Sequence, residues 1–220
     1  AAVAATLGTS AMADISITGD AHMRYANTEN GTAADTNSLD QRVRLKMVGT
    51  SGDTKVVMGL RSDNDDTTTS TRVGGGGTSN ALEVDYRFLT TKVGGVTVKA
   101  GEWWETTGLG VARKGNSSGA NQVLISGTVA NVDLSVQGTV GSGSTTIGAG
   151  TEIAGWKIGL EHLTTSGSGY TDATVQGKIG PVNIAAEKFD SDAANGKADA
   201  GLVHVFGKVG SVTVHGAYAE

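Results

Sequence analysis

The sequence predicts an all-β fold, a transmembrane antiparallel β-barrel with up-and-down connections. Three observations predict it: segments of about ten residues in which apolar and polar side chains alternate, connections that are by turns short and long, and a composition rich in glycine. The chain has 220 residues, of which 34 are glycine, one is proline and 5% are aromatic. So few aromatic residues would supply a large water-soluble core poorly. A barrel needs fewer, because lipid solvates its outer face and water its lumen.

Charge and cysteine content exclude several classes of function. The formal net charge of −5 argues against a nucleic-acid partner. The chain contains no cysteine, which excludes disulfides, thiolate metal sites and cysteine nucleophiles. No run reaches eighteen apolar residues, so the sequence predicts no transmembrane helix.

The first thirteen residues differ in kind from the rest of the chain. They are small and mostly apolar and end in Ala11-Met12-Ala13, which is typical of a signal-peptide cleavage site. We therefore predict that 1–13 is the remnant of a secretory signal peptide and that 14–220 is the barrel domain. The basic start of such a peptide is missing, so we expect the chain to begin within its precursor. The alternative is a genuine N-terminal helix.

Alternation with a period of two predicts the strands in order. In 38–50, for example, Val43 and Leu45 alternate with Arg42 and Arg44, which places each pair on one face of a sheet. The predicted strands are 14–26, 38–50, 53–63, 81–93, 96–105, 119–130, 132–140, 145–154, 156–165, 170–179, 182–190, 197–209 and 212–220.

The connections between these strands predict hairpins at one end of the barrel and irregular loops at the other. Three short connections, within 92–98, 178–184 and 208–214, share the pattern Lys-Val/Ile-Gly-x-Val. Glycine there permits the positive φ that a tight hairpin needs. The long connections are predicted at 27–37, 63–80 and 106–118. The spacing of the short turns is irregular, whereas a solenoid would keep a nearly fixed period.

Together these features resemble the general porins of Gram-negative bacteria. The resemblance rests on the signal remnant, the first strand Asp14-Ile15-Ser16-Ile17-Thr18-Gly19, the alternation of turn length and a long third external loop, and it covers the chain from Asp14 onward. It implies an outer-membrane homotrimer of sixteen-stranded barrels that passes small hydrophilic solutes and ions, in contact with outer-membrane lipid and lipopolysaccharide. It implies no cofactor and no enzymatic activity, and it places the short turns at the periplasmic rim.

Two features depart from that family. The predicted number of strands is odd, whereas bacterial single-chain barrels close with an even number. The last strand ends in Ala217-Tyr218-Ala219-Glu220 instead of an aromatic residue. We interpret the chain as a porin fragment truncated at both ends. About twelve to fourteen strands would then be present, as part of a sixteen-stranded barrel. The alternative is a smaller barrel of twelve or fourteen strands, in which the predicted number is off by one.

A pore selects solutes by its diameter and by the charges on its wall. The early strands carry basic residues at alternate positions, and adjacent strands would join them into a stripe. The alternative is the solvated face of an ordinary sheet. The predicted pore-lining basic residues are Arg24, Arg42, Arg44, Lys46, Arg61, Arg87 and Lys99.

The loop after strand 96–105 occupies the position of the third porin loop, which folds inward and narrows the channel. By resemblance, Glu102 and Glu105 would supply the acidic side of this constriction and face the basic stripe. The alternative is a surface loop in which Trp103 and Trp104 lie at the membrane interface. Alternation places these two tryptophans on opposite faces, so at most one could contact lipid.

Other motifs are weaker. The segment Ser62-Asp63-Asn64-Asp65-Asp66 could bind Ca²⁺, but it lacks EF-hand spacing and is better explained as a solvated loop. We predict no metal site, because the four histidines show no metal-ligand spacing. Two other functions remain open: a secreted Gly/Thr-rich β-solenoid adhesin or surface-layer protein, and a small barrel enzyme such as a lipase, although no G-x-S-x-G motif is present.

Overall fold

The computed structural model describes residues 14–28, 36–64, 82–110, 116–117, 121–166, 168–192 and 199–219. The predicted signal remnant, residues 1–13, lies outside the described residues, as does the end of the 62–66 segment. None of the described residues belongs to a helix that is long and apolar enough to cross a membrane.

The chain divides into two compact units, 1–91 and 92–220. The first contains four strands in chain order, the last of which extends to Val93. Each strand is antiparallel to the next, and β1 pairs with β2 from Asp14 to Thr28. The four strands are β1 (Asp14–Thr28), β2 (Thr36–Ser51), β3 (Thr54–Asn64) and β4 (Glu83–Val93).

The second unit is a longer antiparallel meander. Its strands are β5 (Val96–Glu102), β6 (Trp104–Glu105), β7 (Asn116–Ser117), β8 (Gln122–Val129), β9 (Val132–Thr139), β10 (Thr145–Ile153), β11 (Trp156–Thr165), β12 (Ser168–Ile179), β13 (Val182–Ser191), β14 (Ala200–Val209) and β15 (Val212–Ala219). The sheet order is β5-β8-β9-β10-β11-β12-β13-β14-β15, and β6 pairs with β7 in a separate two-stranded ribbon.

The predicted all-β, up-and-down fold is confirmed, and every predicted strand is present. The main difference is β5, which ends at Glu102 instead of continuing to 105. Gly101 has a φ of 132°, a conformation that favours glycine, and the chain leaves the sheet directly afterwards.

Among the described residues, β1 pairs only with β2 and β15 only with β14. The described strand pairs are all antiparallel, which argues against a parallel β-solenoid.

Two-residue hairpins set the register in the second unit. At the β8–β9 turn, Ala130 and Asn131 have φ values of 50° and 66°. At the β10–β11 turn, Ala154 and Gly155 have values of 52° and 80°. Positive φ at both central residues is the type I′ geometry, whose twist matches that of the flanking strands. The predicted short turns at these two positions are therefore confirmed.

Both units have one exposed apolar face. In the first unit, Ile15, Ile17, Met23 and Tyr25 are 65–73% exposed. In the second, apolar side chains alternate along successive strands with polar ones on the opposite face. Exposed apolar residues of the second unit include Val123, Ile125, Leu134, Val136, Ile147, Ile158 and Leu160. We call the opposite face the polar face; its residues include Gln122, Asp133, Ser135, Gln137, Glu161, Asp172 and Glu187.

Candidate functional site

Strand pairing brings five of the predicted basic residues to one face of the first unit, which we call the basic face. Arg44 stands opposite Asp20 on β1 and opposite Arg61 on β3. Its Nε and Nη2 atoms lie 2.9–3.1 Å from the Asp20 carboxylate oxygens. The residues of the basic face are Arg24, Arg42, Arg44, Lys46 and Arg61.

The register corrects the predicted position of Arg87. Arg87 stands opposite Met58, whereas its neighbour Tyr86 stands opposite Gly59. Gly59 in turn faces Lys46, so Tyr86 and not Arg87 shares the basic face. The close approach explains the glycine, because a Cβ at position 59 would overlap the Tyr86 ring. Arg87 therefore lies on the face opposite to the basic residues of β1, β2 and β3.

Lys99 belongs to the second unit and lies on its polar face, opposite Leu124. Its Nζ atom lies 4.0 Å from the centroid of the Trp103 ring, a cation–π contact. Trp103 itself is only 5% exposed, whereas Trp104 is 37% exposed. The two tryptophans thus have different environments, and Trp103 packs inside the protein.

After β5 the chain returns over the polar face. We call residues 103–110 the inserted segment. Glu105, within this segment, accepts hydrogen bonds from the side-chain amides of Gln122 on β8 and Gln137 on β9. Glu102, which precedes it, is 6% exposed. Of the two predicted constriction residues, Glu105 is therefore held at the polar face by wall amides. Glu102 follows β5 positions that face the apolar side, since Ala100 stands opposite Val123.

The tip of the inserted segment is fastened to β11, β12 and β13. Tyr170 donates its hydroxyl hydrogen to Oε1 of Glu161 at 2.5 Å, and its oxygen lies 3.1 Å from Oγ1 of Thr107. The backbone N–H of Leu109 donates to Oε2 of Glu187 at 2.8 Å. A turn closes the tip, because the N–H of Gly110 donates to the carbonyl of Thr107 at 2.9 Å.

Gly108 makes the closest approach to the wall. Its φ is 53°, in the left-handed region, and a Cβ there would overlap Oδ2 of Asp172. The same Cβ would lie 2.9 Å from Oε1 of Glu187. Both the backbone conformation and the space therefore require glycine at this position.

Buried carboxyl groups surround the tip. Asp172 is 1% exposed and Glu187 is 4% exposed. No backbone N–H and no amide, hydroxyl or cationic side chain among the described residues donates to either oxygen of Asp172 or to Oε1 of Glu187. Phe189 lies beneath them, 1% exposed, with its ring centroid 5.0 Å from that of Tyr170. The acidic character of the site thus comes from the sheet wall as well as from the inserted segment.

Two cavities adjoin the inserted segment. The larger, about 620 Å³, is lined by Gly108, Glu161 and Asp172 and by small wall residues such as Gly148 and Gly159. The smaller, about 200 Å³, lies between residues 105–107 and the wall at Gln137 and Tyr170. Glycine on the polar face therefore leaves open volume next to the acidic side chains.

Solved structures similar to this chain include variants of a porin. A triple mutant of the Rh. blastica porin superposes with a TM-score of 0.62 at 14% sequence identity, covering 94% of this chain and 84% of that chain. A second triple mutant of the same porin gives 0.63, with equal identity and coverage. A chain described under asymmetric conductivity of engineered proteins gives 0.61, also at 14% identity and with coverage of 94% and 84%. The chain has a porin-like fold. No family model and no curated protein matches it.

In this porin-like fold, sequence reasoning missed the residues that anchor the inserted segment. The alternation predicts that these residues lie on strands but gives them no functional role. A signal for them existed, because each occupies an alternate strand position on the polar face and three of the five are acidic. The missed residues are Glu161, Tyr170, Asp172, Glu187 and Phe189.

Proposed function

We propose that the protein is an outer-membrane porin that forms a water-filled channel for passive diffusion of small hydrophilic solutes and ions. The observation that carries this proposal is the inserted segment, residues 103–110, fastened over the polar face by Thr107, Leu109 and their wall partners. A connection that merely closed the sheet would need no such attachment. In a porin-like barrel the polar face encloses water, so a segment held there narrows the path.

The two faces of the strands support the same function. A membrane-spanning sheet needs apolar side chains toward lipid and hydrogen-bonded backbone throughout. Apolar side chains such as Val136 and Leu160 are 51% and 53% exposed on one face, while the opposite face carries charged and amide groups. Such a large exposed apolar surface is unfavourable in water and favourable in lipid.

Charge on the wall would determine ion preference. We propose that Arg24, Arg42, Arg44, Lys46 and Arg61, together with Lys99 in the second unit, line the pore. The negative charges of the pore come from Glu102 and Glu105. Further carboxyl groups on the wall are those of Glu161, Asp172 and Glu187. Fixed charges on a pore wall attract ions of opposite sign and repel those of like sign.

Location and assembly follow from this proposal. We infer export of the protein and its insertion into the outer membrane of a Gram-negative bacterium. There the apolar face would contact lipid and lipopolysaccharide. We further infer a homotrimer, a passive channel with no catalytic activity, and no cofactor.

The experiment that tests the proposal is conductance of the purified full-length protein in planar bilayers. We expect stepwise current increments that scale with salt concentration, and none with detergent alone. Liposome-swelling rates for sugars of increasing size would then give the size limit. Protein that is folded, as judged by its β-type circular dichroism, but produces neither conductance steps nor swelling would overturn the proposal.

A further inference from the structure

His204 and His215 come together on the last two strands of the second unit. The β14–β15 register places His204 opposite Ala217 and Phe206 opposite His215, so the histidines are diagonal neighbours on one face. This is the polar face, because Leu202, two residues from His204, stands opposite Glu187. In the sequence the two histidines are eleven residues apart, and only the hairpin makes them neighbours.

The two imidazole rings meet through their Nε2 atoms. These atoms are 2.7 Å apart, and the rings are nearly perpendicular, at 85°, with centroids 4.8 Å apart. The ring of Phe206 stacks on His204 at 5.0 Å and 25°, which limits the rotation of that imidazole. The 2.7 Å contact is a hydrogen bond, in which one Nε2 atom donates its hydrogen to the lone pair of the other. A metal ion would take the place of this hydrogen once the donating ring changes to its Nδ1–H tautomer.

We propose that His204 and His215 form a binding site for a divalent transition-metal ion such as Zn²⁺. Imidazole nitrogen is a preferred ligand for Zn²⁺ and for Cu²⁺. With Zn–N bonds of about 2.0–2.1 Å and tetrahedral angles, the two nitrogens would stand about 3.3 Å apart. The observed separation is 2.7 Å, so the two Nε2 atoms would move apart by about 0.6 Å to bind the ion. Each ring would carry its remaining hydrogen on Nδ1 and bind the metal through Nε2.

The site would be open to exchange. No group of three or more histidine, aspartate or glutamate side chains among the described residues is arranged to hold a metal ion. Water would therefore occupy the remaining coordination positions, as in sites that keep open positions. Such a site would bind and release metal rather than hold it as a structural element. The inference does not depend on the protein conducting ions, because binding is measured directly.

Calorimetric titration of the refolded full-length protein with Zn²⁺ tests the site. We expect saturable binding of one ion per chain. His204→Gln and His215→Gln should each weaken binding by at least about tenfold, since even loss of a group that merely orients a ligand costs 10–100-fold. His162→Gln is the matched control, because Nδ1 of His162 pairs with Oγ1 of Thr171 at 2.9 Å and not with a second histidine. It should bind as the wild type does.

Absence of saturable binding, or binding that survives in both His204→Gln and His215→Gln, would overturn the site. A second measurement needs no variant and so stands even if these fail to fold. Electron paramagnetic resonance of the wild-type protein with one equivalent of Cu²⁺ should show coupling to two imidazole nitrogens. Coupling to one nitrogen or to none would contradict the inference.

Discussion

Leu109 and Glu187 are joined by a hydrogen bond of 2.8 Å, from the backbone N–H of one to Oε2 of the other, across 78 residues of chain. The bond links the tip of the inserted segment to β13. A hydrogen bond to a charged group contributes about 1.5–3 kcal/mol. This contact is therefore a principal reason why the segment stays on the polar face.

Replacing Glu187 by alanine should release the tip. The Leu109 amide would lose its acceptor, so we expect hydrogen exchange at that amide to accelerate by about 10–100-fold, the equivalent of the bond energy given above. Exchange mass spectrometry of the folded protein measures this. Glu152→Ala, at an exposed position of β10, is the control and should leave exchange in 103–110 unchanged. Equal exchange in both variants would contradict the anchoring role.

Gly108→Ala should displace the inserted segment from the wall. The substitution imposes a Cβ where Oδ2 of Asp172 already lies. Because the wall strand is fixed by pairing on both sides, the tip should move instead, and we expect a larger single-channel conductance. Gly180→Ala separates this effect from backbone strain, since Gly180 has a similar φ of 58° and nothing within 4 Å of its Cβ position. Its conductance should match that of the wild type.

The Tyr170 hydroxyl should couple Thr107 to the wall. Tyr170→Phe keeps the ring that packs on Phe189 but removes the hydroxyl between Thr107 and Glu161. Thr107→Val removes the hydroxyl group that contacts Tyr170. If the two hydroxyls act together, unfolding free energies of the single and double variants should give a coupling of about 0.5–3 kcal/mol. Additive effects would show that the two groups act independently.

The sequence predicted the meander well because its signals are local. Alternation within each strand and positive-φ turns such as 130–131 depend only on neighbouring residues. Arg87 shows where this information ends. Alternation places the adjacent residues Tyr86 and Arg87 on different faces of the sheet. Which of them shares the face of Lys46 depends on the pairing with β3, where Gly59 leaves room for the Tyr86 ring. The anchoring of Leu109 by Glu187 could not be predicted, because it joins a loop to a distant strand.

Neutralising the basic face should shift ion preference toward cations. We expect Arg42→Gln combined with Arg44→Gln to move the reversal potential in a salt gradient toward the value of a cation-selective pore. The fold should persist, because the Arg44–Asp20 side chains are 45% and 50% exposed and such pairs contribute about 0–1 kcal/mol. Arg87→Gln is the control on the opposite face and should leave the reversal potential unchanged. A shift of equal size in the control would show that the basic face is not the pore wall.

A charged side chain should destabilise the protein at one of two adjacent positions on β9 and not at the other. Val136 is 51% exposed on the apolar face, and its neighbour Ser135 lies on the polar face. If the apolar face contacts lipid, Val136→Arg should destabilise the protein in lipid vesicles by about 2–4 kcal/mol, the cost of arginine near the bilayer midplane. Ser135→Arg should cost little, because a water-filled lumen solvates the charge. Urea unfolding followed by tryptophan fluorescence measures both. A secreted β-sheet protein would tolerate arginine at position 136 equally well, so equal stabilities of the two variants would contradict the membrane assignment.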